Sequence, residues 1–507
     1  MKKVLFFTLE MQGMQEVTQL ELANEYVAKG DEVLYITCGS SLGFCNDNRK
    51  GNHLQCVCCK KRQQLRTKRM LKGNYQMQCI DRYMTPDVWD EATRQTFHFS
   101  NMDELKAVRF ENIEIGYGAL SSYITYTRNI DADVSTDVIH SYLEDLLRMQ
   151  VRMILAFKKI IGEFTPDLLI FHNGRFAEYK PLLGLARNMN IEFLCSEGLF
   201  GSDGSWCFDV YPNGTPHSVK DRDMRIKEVW SLNTDTQERE RIARSFFENR
   251  RHARKAGDTI YTKDQKAGLM PDGWDDTKEN IVIFNSSEDE FFAIGSDCGA
   301  KSIFVNQLSG IKAIAEHYQH DKNKHFTLRV HPHLKGLPYS YHQELYKLKY
   351  DNLTVIPADS AVSSYALMDG AEKIIVFGST MGVESCYWEK PVINLAYAMY
   401  NLMDVVYIPE SQEELWHMID DKNLAPKNPD NALPYGYYFM TSKRPSMRYT
   451  KSMEKMTVLR LFGNKYMYHP GYRLLGSEHL YGIWRSFMYR YEGKIPGLSK
   501  YKEIPLK

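Results

Sequence analysis

The stretch 373–388 combines apolar, small and polar residues in an order that suits an anion site. Its β-branched and apolar start predicts a short buried parallel strand. Gly378, Ser379 and Thr380 then let the chain turn into a helix. The first N–H groups of a helix lack internal partners, and together with the helix dipole they favour a phosphate group. The pattern therefore predicts a phosphate site at this turn, with an ordinary strand–helix–strand unit as the alternative.

Polar side chains also follow other predicted strands of this region. The strand predicted at 281–284 is followed by hydroxyls, the strand at 325–330 contains a cation and is followed by an imidazole, and serines open the helix after 353–356. These residues are Ser286, Ser287, Arg329, His331, Ser363 and Ser364. Cations neutralise phosphate, and an imidazole can also donate a proton to a leaving group. Helix capping alone is the alternative for the hydroxyls.

The N-terminal part of the chain shows the same alternation of strands and helices. Glu10 follows its first predicted strand, at the end where α/β domains place site residues. Asn173 and Arg175 follow a second buried strand, and Glu197 follows a third. We therefore expect Arg175 and Glu197 to approach one crevice, with a structural ion pair between them as the alternative.

Cysteines cluster between positions 38 and 59. Four thiolates arranged as a tetrahedron would form a structural zinc site. The candidate ligands are Cys38, Cys45, Cys56 and Cys59. Their spacing is not a standard zinc-finger pattern, so reduced thiols or a disulfide in a basic loop are the alternatives.

Composition limits the class of protein. A chain of 507 residues is too long for one hydrophobic core, so two domains are expected. Its 64 basic residues balance 64 acidic ones. The balance gives no global field that would recruit nucleic acid. No apolar run reaches the length of roughly 18 residues that a membrane span needs, which favours a cytoplasmic protein.

The alternation of elements predicts two Rossmann-like domains with parallel sheets and right-handed crossovers. The first is expected at 1–275 with a long polar insertion at 60–135, and the second at 276–440. Arg250 and the basic residues after it are expected on a solvated helix face. The aromatic and basic extension at 441–507 is expected either to pack back or to contact the inner face of a membrane peripherally.

Four segments, FNSSEDEF, RVHPHL, SSYALMDGA and VFGSTMGVESCYWEKPVI, resemble the capsule polysaccharide biosynthesis proteins. This family comprises GT-B glycosyltransferases and includes Kdo transferases. The resemblance is strong over 281–410 and weaker over the first domain, where HNGR and the cysteine-rich loop are similar. It implies two Rossmann-like domains that face each other across a cleft. It also implies transfer of a sugar from a nucleotide-sugar donor to a capsular or surface polysaccharide, or to its lipid-linked acceptor.

The resemblance also implies roles for individual residues. Arg329 and His331 would lie beside the donor phosphate, and Glu384 would hold the ribose. The nucleotide and phosphate pocket would be lined by Ser363, Ser364, Ser379, Thr380 and Gly382. The acceptor would face Asn173, Arg175 and Glu197. No motif fixes the catalytic base, so Glu197 and Glu10 are the candidates.

The chemistry implied is departure of a phosphate from an oxocarbenium-like sugar, stabilised by fixed positive groups at the leaving oxygen. No D-x-D motif stands at a predicted strand end, since Asp131 and Asp133 fall in a polar loop. We therefore expect transfer without a metal ion or other catalytic cofactor. The alternatives are a non-hydrolysing UDP-sugar 2-epimerase, a CDP-polyol phosphotransferase and a non-catalytic scaffold for capsule assembly.

Overall fold

The computed structural model divides the chain into two compact units. The first unit comprises Met1–Pro216, Ala293–Gly295 and Lys443–Lys507, and the second comprises His217–Phe292 and Ser296–Ser442. The residues that the structure describes are 1–9, 14–45, 48–200, 206–257, 260–299, 302–441, 447–453, 457–461, 464–468, 483–484, 487, 490–491, 499–501 and 503–504. Within these ranges, no helix is long and apolar enough to cross a membrane.

The first unit contains a six-stranded sheet, and the helices that accompany it lie between residues 14 and 188. Its strands are β1 (Lys3–Thr8), β2 (Glu32–Thr37), β3 (Gln76–Cys79), β4 (Leu168–His172), β5 (Glu192–Phe200) and β6 (Trp206–Pro212). Its helices are α1 (Met14–Ala28), α2 (His53–Met70), α3 (Pro86–Arg94), α4 (Met102–Ala107), α5 (Ile115–Thr127), α6 (Asp137–Phe164) and α7 (Lys180–Asn188). The strand order is β3-β2-β1-β4-β5-β6, with β6 antiparallel to β5 and the other pairs parallel. This is the doubly wound order of a Rossmann fold with one added edge strand.

Residues 60–135 do not form the irregular insertion that their polarity predicts. They contribute most of α2, all of α3, α4 and α5, and the edge strand β3. Helix α5 is buried along most of its length, and β3 pairs with β2 in the main sheet. Polar residues such as Gln63 and Arg66 are buried because they bond to other parts of the unit, so local hydropathy misses these elements.

In the residues that the structure describes, the second unit has a five-stranded parallel sheet and eight α-helices. Its strands are β7 (Glu279–Phe284), β8 (Lys324–Arg329), β9 (Leu353–Ile356), β10 (Lys373–Val376) and β11 (Val392–Asn394). Its helices are α8 (Val219–Leu232), α9 (Thr236–Arg251), α10 (Gln307–His317), α11 (Ser340–Gln343), α12 (Ser364–Gly370), α13 (Met381–Tyr387), α14 (Gln412–Asp420) and α15 (Leu433–Thr441). The strand order is β11-β10-β7-β8-β9, so the first strand lies at the centre. The predicted pair of Rossmann-like α/β folds is confirmed.

Both faces of this second sheet are buried, as continuous apolar strands require. Val282 and Ile374 belong to one core cluster, whereas Ile283 and Ile375, their neighbours along the strands, belong to the other. Alternate side chains of a strand point to opposite faces, so each strand supplies both cores. Helices therefore cover the sheet on both sides, and the carboxyl ends of the strands carry the polar loops.

The units do not divide at the predicted position near 275. Helices α8 and α9 belong to the second unit, where Phe246 packs against Tyr435 and Phe439 of α15 at ring-centroid distances of 5.8 and 5.7 Å. Arg250 is buried in this unit rather than solvated. These contacts join residues nearly 200 positions apart, which explains why charge pattern alone misplaces the boundary.

The described part of the C-terminal extension packs back on the first unit. The Glu21 carboxylate accepts hydrogen bonds from the backbone N–H groups of Arg448 (2.6 Å), Tyr449 (2.9 Å) and Thr450 (2.8 Å). Beyond it, β12 (Thr457–Leu461) and β13 (Asn464–Tyr468) form an antiparallel hairpin. Several aromatic and basic positions of the extension lie outside the described residues, and the membrane contact stays a prediction.

Candidate functional site

The sheet of the second unit has a topological switch point between β7 and β10. From the central strand β7 the chain proceeds to β8 and β9 on one side, then crosses to β10 and β11 on the other. Loops that leave β7 and β10 therefore diverge, and ligands of open α/β sheets bind in the crevice that results. The residues that follow these strands form the candidate site.

Two consecutive residues after β7 connect this strand to both of its neighbours. The Asn285 side-chain oxygen accepts a hydrogen bond from the backbone N–H of His331, which follows β8, at 2.8 Å. The Ser286 hydroxyl donates to the carbonyl of Phe377, which follows β10, at 2.6 Å. The Gln307 side-chain amide donates in turn to the Ser286 hydroxyl at 3.0 Å. Ser286 thus lies at the switch point, directly after β7, and its hydroxyl proton is used in a hydrogen bond to the protein.

The turn after β10 requires glycine at two positions. Gly378 has φ +76°, and a Cβ atom there would lie 2.2 Å from the Tyr397 carbonyl oxygen. A Cβ atom at Gly382 would lie 2.3 Å from the Tyr400 hydroxyl, which donates to the Ser379 carbonyl. The Tyr397 carbonyl and the Tyr400 hydroxyl thus confine this segment on two sides. The half-buried Gly378 and Thr380 leave backbone accessible there.

His331 is held in a defined orientation by its surroundings. Its Nδ1 atom accepts a hydrogen bond from the backbone N–H of His333 at 3.1 Å, so a neutral ring carries its proton on Nε2. The Tyr261 ring packs edge-on against it with centroids 4.9 Å apart. An imidazole fixed in this way can donate from Nε2 to an anionic ligand.

Three residues of this cluster escaped sequence analysis. His333 Nδ1 lies 3.1 Å from a Glu290 carboxylate oxygen, and the His333 ring stacks on Tyr261 at 5.7 Å. His333 stands in the HPH motif, two residues after His331, so the sequence contained a signal that it belongs to the same site. Glu290 and Tyr261 reach the cluster from loops on either side of β7, which no local pattern indicates.

Arg329 has a different position from the predicted one beside a phosphate. Its side chain is buried, and its guanidinium donates to the carbonyls of Pro357, of Ser360 at 3.1 Å and of Val330 at 3.2 Å. Burial lowers the pKa of Arg329 to about 10. The residue therefore fixes the loop after β9, while its role toward a phosphate stays a prediction.

The predicted serines of the pocket make local hydrogen bonds, and Ser363 caps helix α12. The Ser363 hydroxyl accepts from the Ala366 N–H at 3.1 Å, and the Ser364 N–H donates to the Gln265 side-chain oxygen at 2.8 Å. The Ser287 hydroxyl donates to Asp289 at 2.8 Å. Each serine lies at a strand-to-helix junction as predicted. For Ser363, the hydrogen bond to Ala366 agrees with the alternative of helix capping.

Glu384 lies in a buried ion pair. The Arg250 Nε atom is 2.9 Å from one carboxylate oxygen, and the Tyr365 hydroxyl donates to the other. Burial, together with the Glu384 charge, raises the pKa of Tyr365. The predicted contact of Glu384 with a ribose stays a prediction, and it requires the Tyr365 or Arg250 contact to open.

In the first unit, the residue pair predicted to meet an acceptor has a partly different geometry. Asn173 has φ +58° after β4, and its amide donates to the Glu197 carboxylate. Glu197 does not follow a strand, because β5 continues past it and pairs with β6 there. The Arg175 guanidinium lies 4.6 Å from the Phe176 ring centroid. Glu10 lies outside the described residues.

The four candidate zinc ligands line one small pocket together with Leu9 and Lys60. Burial raises the pKa of the Cys38 thiol, and the Asn48 amide donates to the Cys56 sulfur at 2.9 Å. Over the described ranges, no group of three or more His, Cys, Asp or Glu side chains is placed to hold a metal ion. The four cysteines thus share one pocket, and a structural zinc ion there stays a prediction.

Comparison with known proteins adds neighbours of low similarity. No family model matches the chain, and no curated protein matches its sequence. Among solved structures, it is similar to a KpsC β-Kdo 2,4 transferase of Thermosulfurimonas dismutans, with a TM-score of 0.33, 15% identity, and coverage of 54% of this chain and 79% of that one. It is also similar to a UDP-GlcNAc 2-epimerase of Neisseria meningitidis bound to UDP-GlcNAc, with a TM-score of 0.24, 12% identity, and coverage of 86% and 98%.

Proposed function

We propose that the chain is a glycosyltransferase that moves a sugar from a nucleotide-sugar donor to a capsular or surface polysaccharide or to its lipid-linked acceptor. The observation that carries the proposal is the pair of bonds made by Asn285 and Ser286. They fix His331 and the turn at Gly378 on either side of the central strand. An imidazole and a constrained small-residue turn therefore lie at the edge where α/β sheets bind nucleotides, which supports the proposal.

In the proposed reaction, the donor phosphate lies against the turn that contains Gly378, Ser379 and Thr380. His331 donates a hydrogen bond from Nε2–H to the leaving phosphate oxygen, and the proton stays on the ring while the sugar carbon acquires oxocarbenium character. Fixed donors at the leaving oxygen supply the stabilisation that a metal ion gives in other transferases, so the proposed reaction is metal-independent. Glu384 is the proposed ribose contact, reached when Tyr365 releases it.

The acceptor is proposed to meet the first unit near Asn173 and Arg175. Glu197 and Glu10 are the proposed candidates for the base that takes the acceptor proton. Glu197 already accepts a hydrogen bond from Asn173, which orients its carboxylate. A cytoplasmic location with peripheral contact at the inner face of the membrane would bring a lipid-linked acceptor within reach.

The first experiment is a thermal-shift panel with CMP, CDP, UDP, GDP and their sugars. A ligand bound by the native state raises the Tm by mass action, so one nucleotide should produce a clear shift. The nucleotide that shifts the Tm identifies the donor class, and incubation with candidate glycan acceptors should then give an acceptor of increased mass. No shift with any member of the panel would favour the scaffold and overturn the proposal.

The product separates the remaining alternatives. A gain of one sugar residue by the acceptor supports glycosyl transfer, and a gain of a phosphopolyol would indicate a CDP-polyol phosphotransferase. Conversion of a UDP-sugar to its 2-epimer without any acceptor would indicate an epimerase. Both of the latter results would overturn the proposed reaction.

A further inference from the structure

His331 is contacted by three residues that come from different segments of the second unit. Its backbone N–H donates to the Asn285 side chain, and its Nδ1 atom accepts from the His333 N–H. The third contact is the ring of Tyr261, from the segment between α9 and β7, which lies edge-on at an interplanar angle of 66°. The hydrogen bonds fix the backbone and one ring nitrogen, and the tyrosine ring limits rotation of the half-buried imidazole.

Tyr261 is held in turn by His333. Their rings stack with centroids 5.7 Å apart and an interplanar angle of 23°. The centroids of the two imidazoles are 6.4 Å apart, so the one tyrosine ring packs against both of them. Tyr261 is 37% exposed, so it is not held by a core and the stack on His333 is a main part of its support. A change in the His333 ring would therefore reach His331 through Tyr261.

The plane of the His333 ring is fixed by Glu290. The His333 Nδ1 atom lies 3.1 Å from a carboxylate oxygen, and because a carboxylate only accepts hydrogen bonds, this nitrogen carries a proton. The opposite holds for His331, whose Nδ1 is the acceptor. The side chains of His333 and Glu290 are 29% and 47% exposed, and ion pairs at the surface contribute little to stability. Fold stability therefore does not explain why this pair stands beside His331.

We propose that Tyr261, His333 and Glu290 are positioning residues that hold the His331 imidazole in its working orientation. The inference rests on the proposed function, because it concerns the imidazole that is proposed to donate to the leaving phosphate oxygen. Tyr261 acts by direct packing, and Glu290 acts through His333. None of the three is proposed to touch the donor, so their loss should impair turnover and leave nucleotide binding intact.

The first test compares turnover with nucleotide affinity. We expect Tyr261→Leu and Glu290→Ala each to lower kcat at least about threefold, with the dissociation constant of the nucleotide within about twofold of the wild type, because misplacement of a catalytic group slows the reaction without removing a binding contact. Tyr261→Phe keeps the ring and Glu290→Gln keeps an acceptor oxygen, so both should recover most of the lost turnover. Glu413→Ala, at an exposed position of α14, is the control.

A double-mutant cycle separates positioning from a direct role. In a His331→Ala background, Tyr261→Leu and Glu290→Ala should have no further effect on turnover, because a positioning residue acts only through the group that it positions. Losses that add to that of His331→Ala would overturn the proposal. A clearly weaker nucleotide affinity in Tyr261→Leu would also overturn it, since the ring would then contact the ligand.

A measurement without any substrate separates this inference from the proposed function. Nitrogen NMR of labelled histidine side chains, with the His331 signal assigned by its loss in His331→Ala, should show the Nε2–H tautomer in the wild type and a mixture of tautomers in Tyr261→Leu. If this change occurs in a chain that transfers no sugar, the positioning stands and the proposed function fails. If the wild type transfers sugar and neither variant alters the spectrum or the turnover, the positioning is wrong and the proposed function stands. Glu290→Ala, at the surface, decides the question should Tyr261→Leu lower the Tm.

Discussion

Ser286 and Phe377 are joined by a hydrogen bond of 2.6 Å across the switch point of the second sheet. The two residues follow β7 and β10, which lie side by side although 91 positions separate the bonded pair. Because the Ser286 proton is used in this bond, the hydroxyl sets the spacing of the two loops rather than meeting a ligand as a donor. The crevice is thereby preformed, which would lower the cost of ordering it around the proposed nucleotide.

Replacement of His331 tests its role as a hydrogen-bond donor to the leaving phosphate oxygen. We expect His331→Ala to lower turnover by at least about tenfold, since loss of one fixed donor to developing negative charge costs at least this much. Nucleotide-dependent modification of the acceptor is the measurement, with the Tm recorded alongside. His320→Ala, at an exposed position of the same unit, is the control and should retain full turnover. Wild-type turnover in His331→Ala would make the imidazole structural.

Replacement of Glu384 tests the energetic weight of its ion pair with Arg250. The two side chains are 1% and 10% exposed, so Glu384→Ala leaves a buried guanidinium charge without its carboxylate. We expect a loss of about 3–5 kcal/mol in the free energy of unfolding, measured by urea denaturation.

An exposed ion pair on α9 provides the matched control. Glu238 and Arg241 have side chains that are 44% and 69% exposed, and Glu238→Gln should leave the free energy of unfolding nearly unchanged. An equal loss in the free energy of unfolding for the buried and the exposed pair would contradict a special weight for the pair of Glu384 with Arg250. A nucleotide affinity that falls in Glu384→Gln, with stability largely kept, would support the ribose contact.

A pair of glycine variants tests the geometry of the turn after β10. Gly378 and Gly336 have nearly the same φ, +76° and +77°, but only Gly378 has a backbone atom where a Cβ would lie. Both alanine variants bear the cost of the left-handed conformation, about 1–2 kcal/mol. We expect Gly378→Ala to lose roughly 1–3 kcal/mol more, because the Tyr397 carbonyl must move. Equal Tm values for the two variants would show that the turn adapts without cost.

His172 predicts a pH dependence of stability. Burial lowers the pKa of this residue in the first unit below its ordinary value of 6.5. Below that value the unfolded chain binds more protons than the folded one, so stability is present above about pH 6.5 and is lost as the pH falls toward the folded pKa. We expect the Tm to decrease with pH in this window, and His172→Gln to reduce the slope.

A second histidine allows an internal comparison. Burial also lowers the pKa of His325, in the second unit, so His325→Gln should remove a separate part of the slope. Residues in different units should contribute additively. A slope that neither variant changes would show that other groups control the acid sensitivity.

Local patterns predicted most strands and the main helices. The strand at β10 follows from its run of β-branched residues, and the long helix α6 follows from its apolar face. Glu197 was misplaced because the added edge strand β6 extends β5, and pairing with a later segment leaves no signal in the strand itself. The helices of 60–135 were missed for a similar reason, since their buried polar side chains are satisfied from elsewhere.

The site was predicted at the level of loops rather than of side chains. The positions of Ser286, His331 and Gly378 follow from their places after strands, and the structure brings their loops together at one edge. The partners of Glu384 and Arg329 could not be predicted, because Arg250 and the Pro357 carbonyl approach through tertiary packing. Residue type indicates what a side chain can bind, but tertiary packing determines which partner it has in the folded protein.

The contact between Glu21 and the backbone at 448–450 has a consequence for synthesis. The residues it joins are 427 to 429 positions apart, and the second unit is encoded almost entirely between them. At translation rates of 5–20 residues per second, Glu21 waits on the order of 20 to 90 s for its partners. Nearly all of the second unit is therefore synthesised before the first unit receives this segment. The surface around Glu21 stays incomplete for that whole time.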